Sequence, residues 1–167
     1  MTPALRALVV CMATLALACA QEHGRIGDNP EVKPAARAAQ PPDPDLQDAL
    51  GQAVNDAAAR HAPGWEKLDK LWRGQLGTRE RQDFMAVLVY GHCYRFIGVG
   101  GAGVSDLDLA LFDPHGVEAQ RDVTQESTAV LGVDSAICPI EPGAYRIGAR
   151  VRDGAGAFAI GLYRSQQ

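Results

Sequence analysis

The sequence is poor in the residues that most catalytic and metal-binding sites require. Aromatic side chains make up 6% of the 167 residues, and there are four histidines and four cysteines. The histidines (His23, His61, His92 and His115) are scattered along the chain, whereas a zinc site needs three or four ligands at suitable spacing. No serine lies in the G-x-S-x-G setting of a hydrolase nucleophile. We therefore expect a protein without catalytic residues, which is not an enzyme.

Positive charge is also scarce. The formal net charge is −4 at pH 7, whereas proteins that bind nucleic acid present a basic face. No polybasic cluster marks a surface for anionic lipids. We expect no nucleic-acid partner, and the acidity most simply serves solubility.

Long apolar runs are missing, and the one near the N-terminus is short. Residues 7–17 carry no charge, follow Arg6 and precede small residues. A membrane-spanning helix needs roughly 20 apolar residues, so this run is too short to cross a membrane. A positive charge, an apolar run and then small residues, in that order, are typical of a secretion signal. We expect residues 1–20 to be a signal peptide, no membrane-spanning helix, and export of the protein.

The signal offers two processing sites. A-L-A-C at residues 16–19 resembles a bacterial lipobox, in which Cys19 is lipidated, although leucine is usual where Ala16 stands. A-C-A at residues 18–20 instead fits ordinary signal peptidase and a free N-terminus at Gln21. We expect lipidation at Cys19 and anchorage in the cell envelope, at the outer membrane. A secreted protein and a buried N-terminal helix are the alternatives.

A tether is expected to follow, over residues 21–45. It holds five prolines, several alanines and scattered charges, with almost no large apolar side chain. Such a segment cannot bury enough surface to order itself, and proline keeps it extended. We therefore expect disorder over this range.

A helical segment is expected over residues 46–70. Leu46, Leu50 and Val54 fall at helical spacing behind Asp45, which can cap the helix. The sequence H-A-P-G at residues 61–64 ends this helix. A further short apolar face follows, formed by Trp65, Leu68, Leu71 and Trp72.

From about residue 71 the apolar period changes to two. Apolar or alternating runs cover residues 84–90, 93–99, 106–111, 117–123, 128–133, 136–140, 145–151 and 157–163. Between them lie turn sequences such as D-P-H-G at 113–116, E-P-G at 141–143 and D-G at 153–154. Short strands at this spacing predict an antiparallel β-sandwich over residues 71–167.

Cys93 and Cys138 are the two cysteines of this predicted sandwich. An even pair in an exported protein indicates a disulfide. Closing a loop of about 45 residues would stabilise the fold by roughly 4 kcal/mol in the chain-entropy model. Two buried free thiols, or strands too far apart to bridge, are the alternatives.

A series of short motifs adds a family resemblance. In order they are G-Q-L at 74–76, D-F at 83–84, G-H-C-Y at 91–94, D-L-D-L at 106–109, D-P-H-G at 113–116 and G-A-Y at 143–145. The series resembles the bacterial pre-peptidase C-terminal (PPC) domain and its collagen-binding relatives, over about residues 71–165. The resemblance implies a jelly-roll-like β-sandwich that is usually non-catalytic and occurs in secreted or surface proteins. Some relatives bind collagen or calcium, but their ligand residues cannot be placed on this sequence.

Two aspartates, Asp106 and Asp108, share one face of a predicted strand, opposite a row of leucines. Aspartate is disfavoured in strands, so the pair needs an explanation. A calcium site completed by Asp113 is one reading. The other, which we favour, is a solvated face paired with Arg146, Arg150 and Arg152.

Together these features favour a non-catalytic envelope or surface β-sandwich that binds a protein or a polysaccharide. A passive structural envelope lipoprotein is one alternative. A metal-dependent hydrolase that uses Asp106, Asp108 and a histidine is the other.

Overall fold

The computed structural model describes the backbone of residues 44–165 and the side chains of residues 49–165. The expected signal peptide, Cys19 and nearly all of the expected tether lie outside the described residues. The elements of the described part, in chain order, are α1 (Pro44–His61), β1 (Glu66–Leu76), β2 (Arg81–Leu88), β3 (Tyr94–Gly100), β4 (Val104–Phe112), β5 (Glu118–Arg121), β6 (Thr128–Leu131), β7 (Gly143–Gly154) and β8 (Gly156–Arg164).

The strands form two antiparallel sheets of four strands each. Their orders are β1-β8-β3-β6 and β2-β7-β4-β5, and every ladder in them is antiparallel. Strands that follow each other in the chain mostly lie in opposite sheets, which is the jelly-roll arrangement. The expected antiparallel β-sandwich is therefore confirmed.

The core lies between the sheets and follows the alternation of the strands. Leu107, Leu109 and Leu111 of β4 are fully buried and lie beside Ile147 and its buried neighbours of β7, on the inner face of the same sheet. An aromatic cluster fills the rest, with ring centroids 6.0–6.3 Å apart among Trp72, Phe84, Phe96 and Phe158. These large aromatic side chains supply much of the apolar area that the core buries.

The helix covers the outer face of one sheet. Leu50, Val54 and Ala57 of α1 pack on apolar side chains of β3 and β8, among them Ile97. A Cβ on Gly161 would lie 2.8 Å from Val54 Cγ1, so glycine there lets the helix approach the sheet. We call β1-β8-β3-β6 the helix-covered sheet and β2-β7-β4-β5 the open sheet.

The expected helical segment ends earlier than residue 70. The helix ends at His61 and strand β1 begins at Glu66, so the sandwich starts five residues before the expected boundary at 71. Pairing with β8 decides this region: Glu66 lies opposite Arg164 and accepts a hydrogen bond from its guanidinium at 2.6 Å. The expectation of a helical segment up to residue 70 is wrong, since β1 covers this region and a bulge between Lys67 and Leu71 breaks its strand alternation.

The expected disulfide is confirmed. Cys93 and Cys138 are bonded and lie 45 positions apart in the sequence. The bond ties the start of β3 to the segment before β7, where Tyr94 and Ile137 also pair through their backbones. No helix within residues 44–165 is both long and apolar enough to cross a membrane.

Candidate functional site

The outer face of the open sheet is rich in arginine. Along β7, buried residues alternate with residues that point outward, because successive side chains of a strand take opposite faces. The outward residues include Arg146, Gly148, Arg150 and Arg152. Across the sheet, Arg150 lies between Arg81 of β2 and Asp108 of β4.

In the middle of this face the arginines are committed to partners. Asp83 accepts hydrogen bonds from Arg81 at 2.8 Å and from Arg146 at 3.0 Å. The guanidinium of Arg146 also lies 3.7 Å from the ring centroid of Phe112, a cation–π distance. A Cβ on Gly148 would come within 3.1 Å of both Arg81 and Asp83, so glycine makes room for this cluster.

At one end of the same face the side chains surround a cavity of about 640 Å³. Its size is within the ordinary range of ligand sites. All but Asp106 of its lining residues are exposed, so it is an open trough. We call it the arginine pocket, and it is lined by Arg79, Ser105, Asp106, Gln125, Arg150, Arg152 and Asp153.

Two of the three arginines of the pocket are uncommitted. Arg152 pairs with Asp108, at 3.4 Å between Nη1 and Oδ2. No residue among those whose side chains are described forms a hydrogen bond, ion pair or ring contact with the guanidinium of Arg79 or Arg150. Their donors are therefore directed only to solvent in a site that is open to a ligand.

Arg79 is held in an unusual backbone conformation. It has a φ of +67°, the one non-glycine residue with positive φ among the described residues. Its amide donates to the carbonyl of Val151 at 2.7 Å, and the amide of Glu80 donates to Gly77 at 3.1 Å. The turn between β1 and β2 thus fixes Arg79 against β7, and such strained positions often serve a function.

The acidic side of the pocket is formed by Asp106 and Asp153. Ser105 donates its hydroxyl to Asp153 Oδ2 at 2.8 Å. Asp106 Oδ1 is buried and has no hydrogen-bond partner among the described residues. A buried acceptor without a partner is costly, and the carboxylate of Asp106, which lines the cavity, is an acceptor for a ligand hydroxyl.

Two carboxyl groups behind the pocket have raised pKa values. Burial raises the pKa of Asp108, nearby Asp106 and Asp122 add to the rise, and Arg152 opposes it. Burial likewise raises the pKa of Asp122, against a hydrogen bond from Thr124. Both shifts follow from desolvation, which disfavours the charged form.

The solvated-face reading is wrong for Asp108, which is only 4% exposed. Strand β7 flanks it on one side. On the other side the chain after β5 stays beside β4, since the amide of Asp122 donates to the carbonyl of Leu109 at 2.9 Å. Of the three expected arginine partners, Arg152 is the one that pairs with it.

The close approach of two turns holds this end of the sheet. Gly154, with a φ of +82°, would place a Cβ 2.1 Å from the carbonyl oxygen of Gly103. The amide of Ala155 donates to the same oxygen at 2.8 Å. Glycine at positions 103 and 154 therefore lets the two turns next to Ser105 and Asp153 approach each other closely.

The expected calcium set of three aspartates is not a single site. Asp113 lies in the turn beyond the far end of β4, where its Oδ1 accepts hydrogen bonds from the amides of His115 and Val117 at 2.9 and 2.8 Å. Asp106 and Asp108 lie nearer the start of that strand. Within the described residues, no group of three or more histidine, cysteine, aspartate or glutamate side chains is placed to hold a metal ion.

The three described histidines, His61, His92 and His115, do not line the arginine pocket. His115 forms an ion pair with Glu141 at 2.9 Å instead. The hydrogen bond to Glu141 raises the pKa of His115. The histidine that the hydrolase hypothesis needs beside Asp106 and Asp108 is therefore not supplied by the described residues.

A second surface, at the disulfide end, is apolar. Val87, Tyr90 and Ile140 are 72%, 73% and 91% exposed. Tyr90 and Ile140 border a shallow cavity of about 350 Å³ that also contacts Cys93 and Cys138. No side chain within residues 49–165 covers this surface.

In comparisons with known proteins, neither a protein-family model nor a curated protein sequence matches this chain. The resemblance to the PPC domain therefore stays a prediction from the motif series.

Proposed function

We propose that this protein is a non-catalytic, exported β-sandwich of the cell envelope that binds a polysaccharide through the arginine pocket. The observation that carries the proposal is an open, polar trough in which Arg79 and Arg150 have no partner among the described residues. The same trough offers the carboxylate of Asp106 as an acceptor for hydroxyl groups. A ligand rich in both donors and acceptors fits such a lining.

The lining favours a polysaccharide over a protein as the ligand. The described wall of the pocket contains arginine, aspartate, serine and glutamine, and no aromatic or aliphatic side chain. Protein interfaces concentrate their binding energy in buried aromatic and arginine anchors within dry pockets. The trough is exposed along its length, which suits a polymer lying across it.

The chemistry of the pocket supports binding rather than catalysis. General acid–base catalysis needs a group whose pKa is tuned towards neutrality and that can reach the substrate. Asp108 has a raised pKa, but it is buried, pairs with Arg152 and does not line the cavity. The exposed Asp153 is engaged by Ser105.

Export is proposed from the N-terminal sequence. Residues 1–20 have the order of a secretion signal and Cys19 lies in a lipobox-like motif. The disulfide between Cys93 and Cys138 suits an oxidising compartment. Membership of the PPC-like domains is likewise proposed from the motif series, and it agrees with a non-catalytic surface role.

Retention on a panel of immobilised neutral and acidic polysaccharides tests the function. The full-length protein should be retained on at least one polysaccharide. Ser105→Trp, which fills the trough with an indole ring, should abolish retention. Ser135→Trp is the matched control, since Ser135 is also exposed but does not line the pocket, and it should be retained like the parent.

The proposal is wrong if no polysaccharide retains the parent protein. It is equally wrong if Ser105→Trp, shown by circular dichroism to be folded, is retained as well as the parent.

A further inference from the structure

We infer that the sugar unit held in the arginine pocket is anionic, a uronic acid whose carboxylate lies between Arg79 and Arg150 and whose hydroxyls reach Asp106. This inference rests on the proposed function and adds the chemical class of the ligand. It follows from which charges of the pocket are satisfied within the chain and which are not.

Arg150 is one of the two arginines of the pocket that have no partner among the described residues. It lies directly opposite Asp108 in the ladder between β4 and β7, where an ion pair would be expected. Asp108 pairs with Arg152 instead. On its other side Arg150 faces Arg81, which is committed to Asp83. Arg150 thus lies between a cation and a neutralised aspartate, so its own charge is available to a ligand.

Arg79 is the other arginine of the pocket whose side chain has no partner among the described residues. The turn between β1 and β2 holds its backbone at a φ of +67° and bonds its amide to Val151, the residue after Arg150. Its side chain lines the same cavity as that of Arg150. Guanidinium groups bind carboxylates through paired hydrogen bonds, and two of them at one cavity favour a single anionic group.

The two aspartates of the lining define the rest of the ligand. Asp106 and Asp153 would repel a ligand that is anionic on every side, such as a sulfate or phosphate ion. The carboxylate of Asp106 lines the cavity and can only accept hydrogen bonds when ionised, so it favours a ligand that carries a hydrogen-bond donor. A uronic acid carries one carboxylate and several hydroxyl donors, and it satisfies both halves of the lining.

Calorimetric titration of the full-length protein with trigalacturonate and with neutral galactotriose tests the inference. EDTA is included so that calcium cannot bridge the carboxylates. The acidic trisaccharide should bind at least tenfold more tightly than the neutral one. Arg79→Gln and Arg150→Gln should each weaken binding of trigalacturonate about tenfold, as expected for one charge-assisted contact. Both substitutions should lower the preference for trigalacturonate over galactotriose, because each removes a charge that pairs with the carboxylate.

Arg60→Gln is the matched control. Arg60 is exposed in the last turn of α1 and does not line the pocket, so the substitution makes the same change of net charge elsewhere. It should leave binding unchanged. Equal weakening by all three substitutions would mean that net charge alone attracts the ligand, and it would overturn the inference.

Two further results would overturn the inference without touching the proposed function. One is equal binding of trigalacturonate and galactotriose, since the pocket would then bind sugars without regard to charge. The other is competition by millimolar sodium sulfate as strong as that by trigalacturonate, since an anion alone would then suffice. Failure of the proposed function itself is seen separately, as absence of retention on every polysaccharide.

Discussion

Asp108 pairs with Arg152, two positions beyond Arg150, the residue that lies directly opposite Asp108 across the ladder of β4 and β7. The ladder is irregular between Asp106 and Leu107, just where this diagonal pairing occurs. The diagonal pair neutralises a carboxylate that is almost completely buried. This pairing leaves Arg150 exposed and without a partner among the described residues. The proposed binding site depends on Arg150 remaining available to a ligand.

Asp108→Asn should change how stability depends on pH. Burial raises the pKa of Asp108 in the folded state, so the folded protein holds this proton more tightly than the unfolded chain. The contribution of Asp108 to the parent's free energy of unfolding therefore falls as pH rises from about the ordinary pKa of 3.8 to the raised pKa, and is level above it. The variant lacks this fall, so its stability relative to the parent should rise across that window in urea titrations between pH 3.5 and 7.

Arg152→Gln provides the companion measurement. Arg152 lowers the pKa of Asp108, so its removal should raise that pKa further and extend the window to higher pH. A relative stability of Asp108→Asn that declines with rising pH would contradict the assigned direction.

Replacing both bonded cysteines should destabilise the fold strongly. The double variant Cys93→Ser/Cys138→Ser frees a loop with a sequence separation of 45 residues. The chain-entropy model gives a loss of about 4 kcal/mol in the free energy of unfolding. Denaturant titration measures it, and the reduced parent should unfold at nearly the same midpoint as the double variant. A loss below about 1 kcal/mol would show that the bond constrains the unfolded chain far less than the model requires.

Leu109→Ala tests the position of the core. Leu109 is fully buried between the sheets, so its truncation should lower the free energy of unfolding by about 2–5 kcal/mol. Val87→Ala serves as the control, because Val87 is 72% exposed and should change stability by no more than about 0.5 kcal/mol. Comparable losses in the two variants would mean that the sandwich core is placed wrongly.

Mass spectrometry of the N-terminus tests the export proposal. Protein recovered from the membranes of a bacterial host should begin at a diacylated Cys19. A free N-terminus at Gln21 would establish secretion without an anchor, and an intact Met1 would contradict the signal peptide.

Much of the fold was predictable because its signals are local. The alternation of Leu107, Leu109 and Leu111 predicted strand β4 and its buried face, and the D-P-H-G turn predicted where that strand ends. The disulfide followed from cysteine number and the expected compartment. The region of Glu66 was misassigned because its conformation is set by pairing with Arg164, almost a hundred positions away, which no local pattern reveals.

The arginine pocket was only partly predictable. The outward arginines of β7 were visible in the alternation of its sequence, and Asp106 stood out as an aspartate in a strand. Arg79 and Gln125 could not be found in this way, because they come from turns and connections that meet β7 and β4 only after both sheets have packed. Asp113 was wrongly grouped with Asp106. Each position along a strand adds about 3.3 Å, so two aspartates seven positions apart are too distant to share one metal ion.

The most direct test of the binding site is to map where a ligand contacts the protein. The full-length protein, labelled with ¹⁵N, would be titrated with trigalacturonate while its amide and arginine side-chain resonances are followed. We predict shifts concentrated at Arg79, Ser105, Asp106, Arg150 and Asp153, with the Nε resonances of Arg79 and Arg150 moving most. Saturable shifts around Tyr90 and Ile140 at the disulfide end, with none at the arginine pocket, would contradict the account.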